Sequence, residues 1–232
     1  MLRAGGYQVQ RVDRMPRTQF EKSARPYVER HVAQTLADVE TLRERYREPV
    51  FGEVPVWRVV EMLSHVVDRM DHDLMNVTQE IHVLQMLEGM LAEGVDDESF
   101  LLAAILHDLG KVLYLVDEDP ANISGSNAPI GEYEHGLGFD QCVFQWNHDE
   151  FGYSRFAGRV PDHVAWLIRY HSVIPRTCLH LMDDRDRDYY ERYWKEFRRW
   201  ERDTKSISRV PRTRMTDYRA LVDAAFPAPI PF

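Results

Sequence analysis

Apolar positions along this chain recur mostly at helical spacing, and the densest of them, residues 100–106 in the stretch FLLAAILHDLGK, leave no polar face. Such a run predicts a buried helix near the middle of the protein. Its last turn places His107 beside Asp108, with Gly110 as the expected stop and Lys111 just beyond. Upstream, Tyr27, Val28, Val32, Thr35, Leu36, Val39 and Leu42 mark one helical face from Pro26, which Pro49 ends. Val56, Val59, Val60, Leu63 and Val67 mark a shorter helix from Pro55, and Ile81, Leu84, Leu87, Met90 and Leu91 another over about 77–93, with His82 beside its stripe. Further on, the pattern predicts a helix over 139–156 with 146–150 at its centre. The next runs from Val160 and Pro161 to His171 and Ser172 and is closed by Pro175. A charged helix over 184–201 carries Tyr189, Tyr190, Tyr193, Trp194, Phe197 and Trp200 as its docking stripe. The fold class that follows is all-α, a helical bundle.

Three segments fall outside this pattern. Residues 1–25 mix Arg, Gly and Pro without a period and are expected to form an N-terminal arm. Residues 120–134 supply Pro, Gly, Asn and Ser, and a loop of that size a few residues past a candidate site is placed to act as a lid. Residues 227–232, with Pro227, Pro229 and Pro231, make an extended tail. Between arm and tail, 26–226 reads as one domain. The 232 residues with 44% apolar content suffice for a sizeable core.

Composition narrows the function classes. No segment reads as a secretory leader or membrane span, which predicts a soluble, cytoplasmic protein. Cys142 and Cys178 match no thiolate-metal spacing and are expected to be ordinary thiols. A net charge of -9 disfavours nucleic acid as the default partner. The basic residues Arg198, Arg199, Arg202, Lys205, Arg209, Arg212 and Arg214 follow interleaved acids and are expected to form a solvated face.

The candidate chemistry lies where histidines meet apolar helices. His82, His107, Asp108, His148 and His171 each sit in or at the end of an apolar segment, and every buried imidazole needs its own partner. Shared metal ions are such partners; histidine and carboxylate ligands without thiolate suit iron, manganese or zinc in an enzyme. The turn containing Asp68, Asp71 and Asp73 reads either as solvated capping carboxylates or as a binding turn. Asp149 and Glu150 are placed to orient ligand imidazoles.

These residues also carry a family resemblance. His82 followed by HDLGK at 107–111 resembles the HD-domain superfamily of helical bundles, which hosts metal-dependent phosphohydrolases. DRMDHD at 68–73, LHDLGKVL at 106–113, GLGFDQCVFQWNHDEFGY at 136–153, LIRYHSVIP at 167–175 and FRRWERDTK at 197–205 are similar to motifs of its oxygenase branch, myo-inositol oxygenase and relatives. The likeness runs from about 34 to 226 with the motifs in order.

The resemblance implies a non-haem, mixed-valent Fe(II)/Fe(III) pair with dioxygen as co-substrate. One iron would take His82, His107, Asp108 and a late carboxylate; the other would take His148 and His171, with Asp108 bridging. It further implies that Lys111 and Asp108 are catalytic and that Asp68, Asp71, Lys111, Ser172 and Lys205 contact a small polar substrate. A reductase or other electron donor would activate the centre. Two departures stand out. The register puts Glu201 where the family has aspartate, with Asp203 as the alternative, and the 115–136 segment is shorter than in inositol oxygenases, which points to a substrate other than myo-inositol. The rival reading is a metal-dependent phosphohydrolase, which has no fixed need for both His148 and His171.

Overall fold

The computed structural model describes residues 16–74 and 76–232, together with the backbone of the strand residues Leu2–Ala4 and Tyr7–Val9. Those two strands, β1 and β2, pair antiparallel, and the rest of residues 1–15 lies outside the described part. The fold is all-α. In chain order the helices are α1 (Arg17–Val32), α2 (Leu36–Arg45), α3 (Val56–Met62), α4 (Gln79–Ala92), α5 (Glu98–Leu106), α6 (His148–Phe156), α7 (Asp162–Tyr170), α8 (Pro175–Cys178), α9 (Asp184–Tyr189), α10 (Lys195–Asp203) and α11 (Arg219–Ala225).

The centre is α5. Leu102, Ala103, Ala104, Ile105 and Leu106 are all buried, because α4, α7, α10 and α11 pack against α5. Asp97 starts the helix by accepting the Ser99 amide at 2.8 Å. Taken with the turn after it, Glu98–Val116 has the length and mean hydropathy, 1.6, of a membrane span, contrary to the expectation that no segment would. Here 67% of that window is buried inside the fold, so its apolar character is spent on the core.

Several boundaries differ from the sequence pattern. Gly110 does not stop the central helix; the chain continues as a 3-10 helix, Leu109–Val116. A Cβ at Gly110 would meet the His148 carbonyl oxygen at 2.1 Å, so the glycine allows α6 to approach. The helix expected over 139–156 begins only at His148; Phe139–Gln141 is a single 3-10 turn, and Asn147, with an extended backbone, caps α6 by accepting the Asp149 amide at 2.8 Å. The helix expected from Pro26 is two helices, α1 and α2. Pro26 lies inside α1 on a largely exposed stretch, where water can satisfy the carbonyl that proline cannot serve. Thr35 and Asp38 then form a capping box that restarts the chain as α2.

The charged helix is also interrupted. Tyr190–Trp194 forms a π turn between α9 and α10, and the wider turn lets Trp194, Phe197 and Trp200 reach the core while Tyr189 and Tyr193 pack beside His163. The tail is extended as expected: β4 (Ile230–Pro231) pairs antiparallel with β3 (Glu53–Val54), and Phe232 is fully buried against Phe151 and Phe156. The 120–134 segment is not a free lid. It opens with a 3-10 turn, Pro120–Asn122, buries Ala121, Ile123, Ser124 and Asn127, and bridges to Val173 and Phe144. Cys142 and Cys178 are free and buried.

Candidate metal centre

The ends of four helices converge beneath α1. His82 projects from the first turn of α4, His107 and Asp108 leave the end of α5, His148 is the first residue of α6, and His171 caps the end of α7. Each is almost wholly buried. The Asp108 carboxylate sits between two pairs of imidazoles. Its Oδ2 lies 3.4 Å from His107 Nε2 and 3.6 Å from His82 Nε2, whereas Oδ1 lies 3.1 Å from His148 Nε2 and 3.7 Å from His171 Nε2. The five residues thus form two groups, His82–His107–Asp108 and Asp108–His148–His171, each with donor atoms close enough for one ion.

Backbone carbonyls set the tautomers. The Nδ1–H of His107 donates to Ala104 O at 2.8 Å, that of His148 to Ile123 O at 2.6 Å, and that of His171 to Ile168 O at 3.1 Å. With Nδ1 protonated, each Nε2 turns a lone pair inward. His148 and His171 then point two lone pairs at each other across 3.2 Å, and the Nε2 atoms of His82 and His107 are buried with no hydrogen-bond partner. Facing lone pairs and orphaned acceptors are costly in protein alone and become favourable around a cation, so this donor set fits metal ions. Their all-nitrogen and oxygen chemistry suits iron, manganese or zinc.

Electrostatics agree with that arrangement. Burial holds His82 and His171 well below the ordinary imidazole range. Burial alone would raise the Asp108 carboxyl, but His107 and Lys111 outweigh it and keep it well below the usual carboxylate range. The Lys111 ammonium is buried, yet Asp108 and Asp68 hold its pKa well above normal; its Nζ lies 3.0 Å from an oxygen of each. Asp68 Oδ1 accepts from Ser124 Oγ at 2.9 Å, Tyr114 OH at 3.2 Å and the Met70 amide at 2.8 Å, while its Oδ2 faces Lys111 and the residue lines the cavity over the histidines.

Glu201 is buried on α10 with Oε1 4.0 Å from His82 Nε2, at the open side of the first group. Lys205 Nζ, 2.5 Å from Oε1 and 2.8 Å from Asp71 Oδ2, overcomes burial together with Arg198 and depresses the Glu201 pKa. Asp203, the alternative to Glu201, points outward and pairs with Arg202. Ser172 donates to Asp149 Oδ2 at 2.5 Å, and Asp149 Oδ1 stands 3.1 Å from His148 Nε2. Asp149 therefore meets the imidazoles on their inner side, while carbonyls do the orienting expected of it. Burial raises its pKa to about 6, against the opposing influence of His148 and Ser172. Glu150 does not orient an imidazole; it binds Arg43 and Arg169.

A cavity of about 460 Å³ opens over Asp108, Lys111, His148, His171, Ser172, Glu201 and Lys205, and Arg17, Phe20, Val28 and His31 of α1 form its far wall. The sequence reading missed His31, whose Nδ1–H donates to Ala121 O at 2.9 Å, and Asn127, whose amide donates to Asn147 Oδ1 at 3.0 Å. His31 lies on α1 at helical spacing from Tyr27 and Val28 and Asn127 in the 120–134 segment, and only the chain's path brings them to the site.

A family model described as Myo-inositol oxygenase matches residues 20–131 and 116–232, which is most of the chain. This chain belongs to the myo-inositol oxygenase family. It is 30% identical over 201 residues to "Inositol oxygenase 2" of Arabidopsis thaliana, covering 70% of this chain and 63% of that protein. It is 26% identical to "Probable inositol oxygenase" of Oryza sativa subsp. japonica, covering 85% and 77%, and 24% identical to "Inositol oxygenase" of Danio rerio, covering 90% and 88%. Membership in the myo-inositol oxygenase family supports an oxygenase and brings the HD-like helical bundle with it.

Proposed function

We propose that this chain is a non-haem diiron oxygenase that uses O2 to oxidise a C–H bond of a small polar substrate, with cleavage of a C–C bond as the family-type outcome. The observation that carries the reading is the single buried carboxylate, Asp108, shared between two histidine pairs. His82, His107, Asp108 and Glu201 would hold one iron; His148, His171 and the other Asp108 oxygen would hold the second. A mixed-valent pair, primed by an external electron donor, supplies one-electron oxidation and O2 activation.

The chain's own side chains then have distinct tasks. Lys111 stays protonated between Asp68 and Asp108 and offers its charge to a substrate oxygen that becomes negative. Lys205, held by Asp71, does the same on the opposite wall. Ser172 donates to Asp149 Oδ2, so the pair is placed to pass a proton from a substrate hydroxyl to that carboxylate. The compact 115–136 segment supports a substrate other than myo-inositol itself.

Electron paramagnetic resonance of protein loaded with iron anaerobically and then partly oxidised tests this. A coupled mixed-valent signal, shifted by the substrate, is expected. A purely mononuclear spectrum would refute the two-iron reading.

A further inference from the structure

The basic residues of α10 do not face bulk water alone. Lys195, Arg198, Arg199 and Arg202 are spaced i, i+3, i+4 and i+7, which puts them on one helix face. All four line a second cavity of about 470 Å³. No carboxylate lines it among the described residues, although the chain as a whole carries a net charge of -9. The acids that pair with three of these cations sit on the exposed side: Glu191 with Lys195, Glu93 and Glu196 with Arg199, and Asp203 with Arg202. Exposed pairs of this kind contribute little and exchange readily with another anion.

The two cavities adjoin. Ser126, Ile174 and Arg198 line both the basic cavity and the one over the histidines. Arg198 bonds Glu201, a candidate metal ligand. If Glu201 gives its charge to a metal ion, the half-buried Arg198 guanidinium is left short of an anion at the junction between the cavities.

We infer that the cavities form one two-part substrate site. The oxidisable, hydroxyl-bearing end of the substrate lies beside the Asp108 cluster, and a phosphate- or carboxylate-type oxyanion at its other end is held by Lys195, Arg198, Arg199 and Arg202. The inner half of this assignment rests on the diiron reading; the outer half rests only on the basic cavity. A guanidinium fork suits a planar or tetrahedral oxyanion through paired hydrogen bonds, and a neutral polyol uses no such cluster.

Calorimetric titration of myo-inositol monophosphate, myo-inositol and inorganic phosphate into the metal-free and the iron-loaded full chain tests the inference. The monophosphate is expected to bind at least tenfold more tightly than the neutral polyol in both forms, with a preference that weakens as salt rises. Lys195→Gln/Arg202→Gln, with iron uptake and melting temperature measured alongside, is expected to reduce that preference at least tenfold; Arg202→Gln alone serves if the double variant melts early. Equal affinity for the charged and neutral polyols would overturn the inference, as would a preference that the variants leave intact. Phosphate binding seen only with iron and insensitive to the variants would place the oxyanion on the metals and overturn it too. A protein that takes up no iron yet keeps a variant-sensitive preference would remove the diiron reading and leave the anion cavity standing.

Discussion

Asp108 is able to serve both halves of the site because it follows His107 directly, at the point where α5 gives way to a 3-10 turn. The turn swings the carboxylate from the α4 side toward α6 and α7, and no other residue of the cluster faces both pairs. His148 belongs to the second pair alone. On the diiron reading, His148→Ala is expected to lower iron content from two per chain toward one and to abolish O2 consumption, as read by metal analysis and an oxygen electrode. A variant that lost one iron but hydrolysed a phosphate ester at the wild-type rate would favour the phosphohydrolase reading. Gly110 tests the same geometry without touching a ligand. The Cβ of Gly110→Ala would collide with backbone, not with a flexible side chain, so a loss of about 1–3 kcal/mol in chemical denaturation is expected. Weaker iron binding should accompany it, because the displaced atom is the His148 carbonyl.

Elements present the ligands only because short caps and turns fix where they begin. Asn147 holds its extended backbone at the N-terminus of α6 and is held in turn by Asn127, with its own amide reaching Gly125 O at 3.0 Å. Asn147→Ala removes the cap and is expected to cost about 1 kcal/mol of stability, with a roughly tenfold or larger loss of iron affinity. Unchanged iron affinity in a competition titration would show that α6 keeps its start without the cap. The sequence pattern missed this boundary because the apolar residues Phe139, Phe144 and Trp146 are buried from irregular backbone, which leaves the same mark on a sequence as a helix face. The π turn at Tyr190–Trp194 was equally hidden: its aromatics face inward in two registers, and only packing shows where one yields to the other. Gln34 likewise ties α1 and α2 to the loop beneath them, accepting the Trp146 amide at 2.7 Å and donating to its carbonyl at 3.0 Å.

Across the whole molecule, metal binding and folding share the same buried groups. In the metal-free protein, His82 and His171 have pKa values well below the unfolded value of about 6.5, so the unfolded chain binds more protons than the fold as pH drops. Their contribution is fully present above about pH 6.5 and is lost as pH falls below it. His148 acts oppositely: burial lowers its pKa, but Asp149 and Asp108 raise it by more, so its contribution is present below about 6.5 and fades as pH rises. His31 and His163, also lowered by burial, add to the loss, whereas Asp149, whose raised pKa lets the fold take up a proton, opposes it with His148; four imidazoles against two groups predict a net loss of metal-free stability from pH 7 to 5, measurable by denaturation. Iron retention should fall over the same window, because the imidazole ligands must be deprotonated. Far from the site, Phe232→Ala should cost about 3–5 kcal/mol while leaving iron content unchanged, since Phe232 fills the core beside α6 without touching a ligand.

The sequence by itself determined the helical class, the burial of the central helix and the ligand-type residues His82, His107, Asp108, His148 and His171 as candidates, while Glu201 came only from the register of the family motif. Apart from Glu201, each of these leaves a local mark, either a periodicity or a polar residue at the end of an apolar run. Tertiary structure alone decided that one carboxylate stands between two histidine pairs, that Asp203 faces outward, that Gly110 makes room for a carbonyl, and that the basic face of α10 looks into a cavity. Those facts depend on which helix ends meet in space, and that is set by packing between segments far apart in the chain.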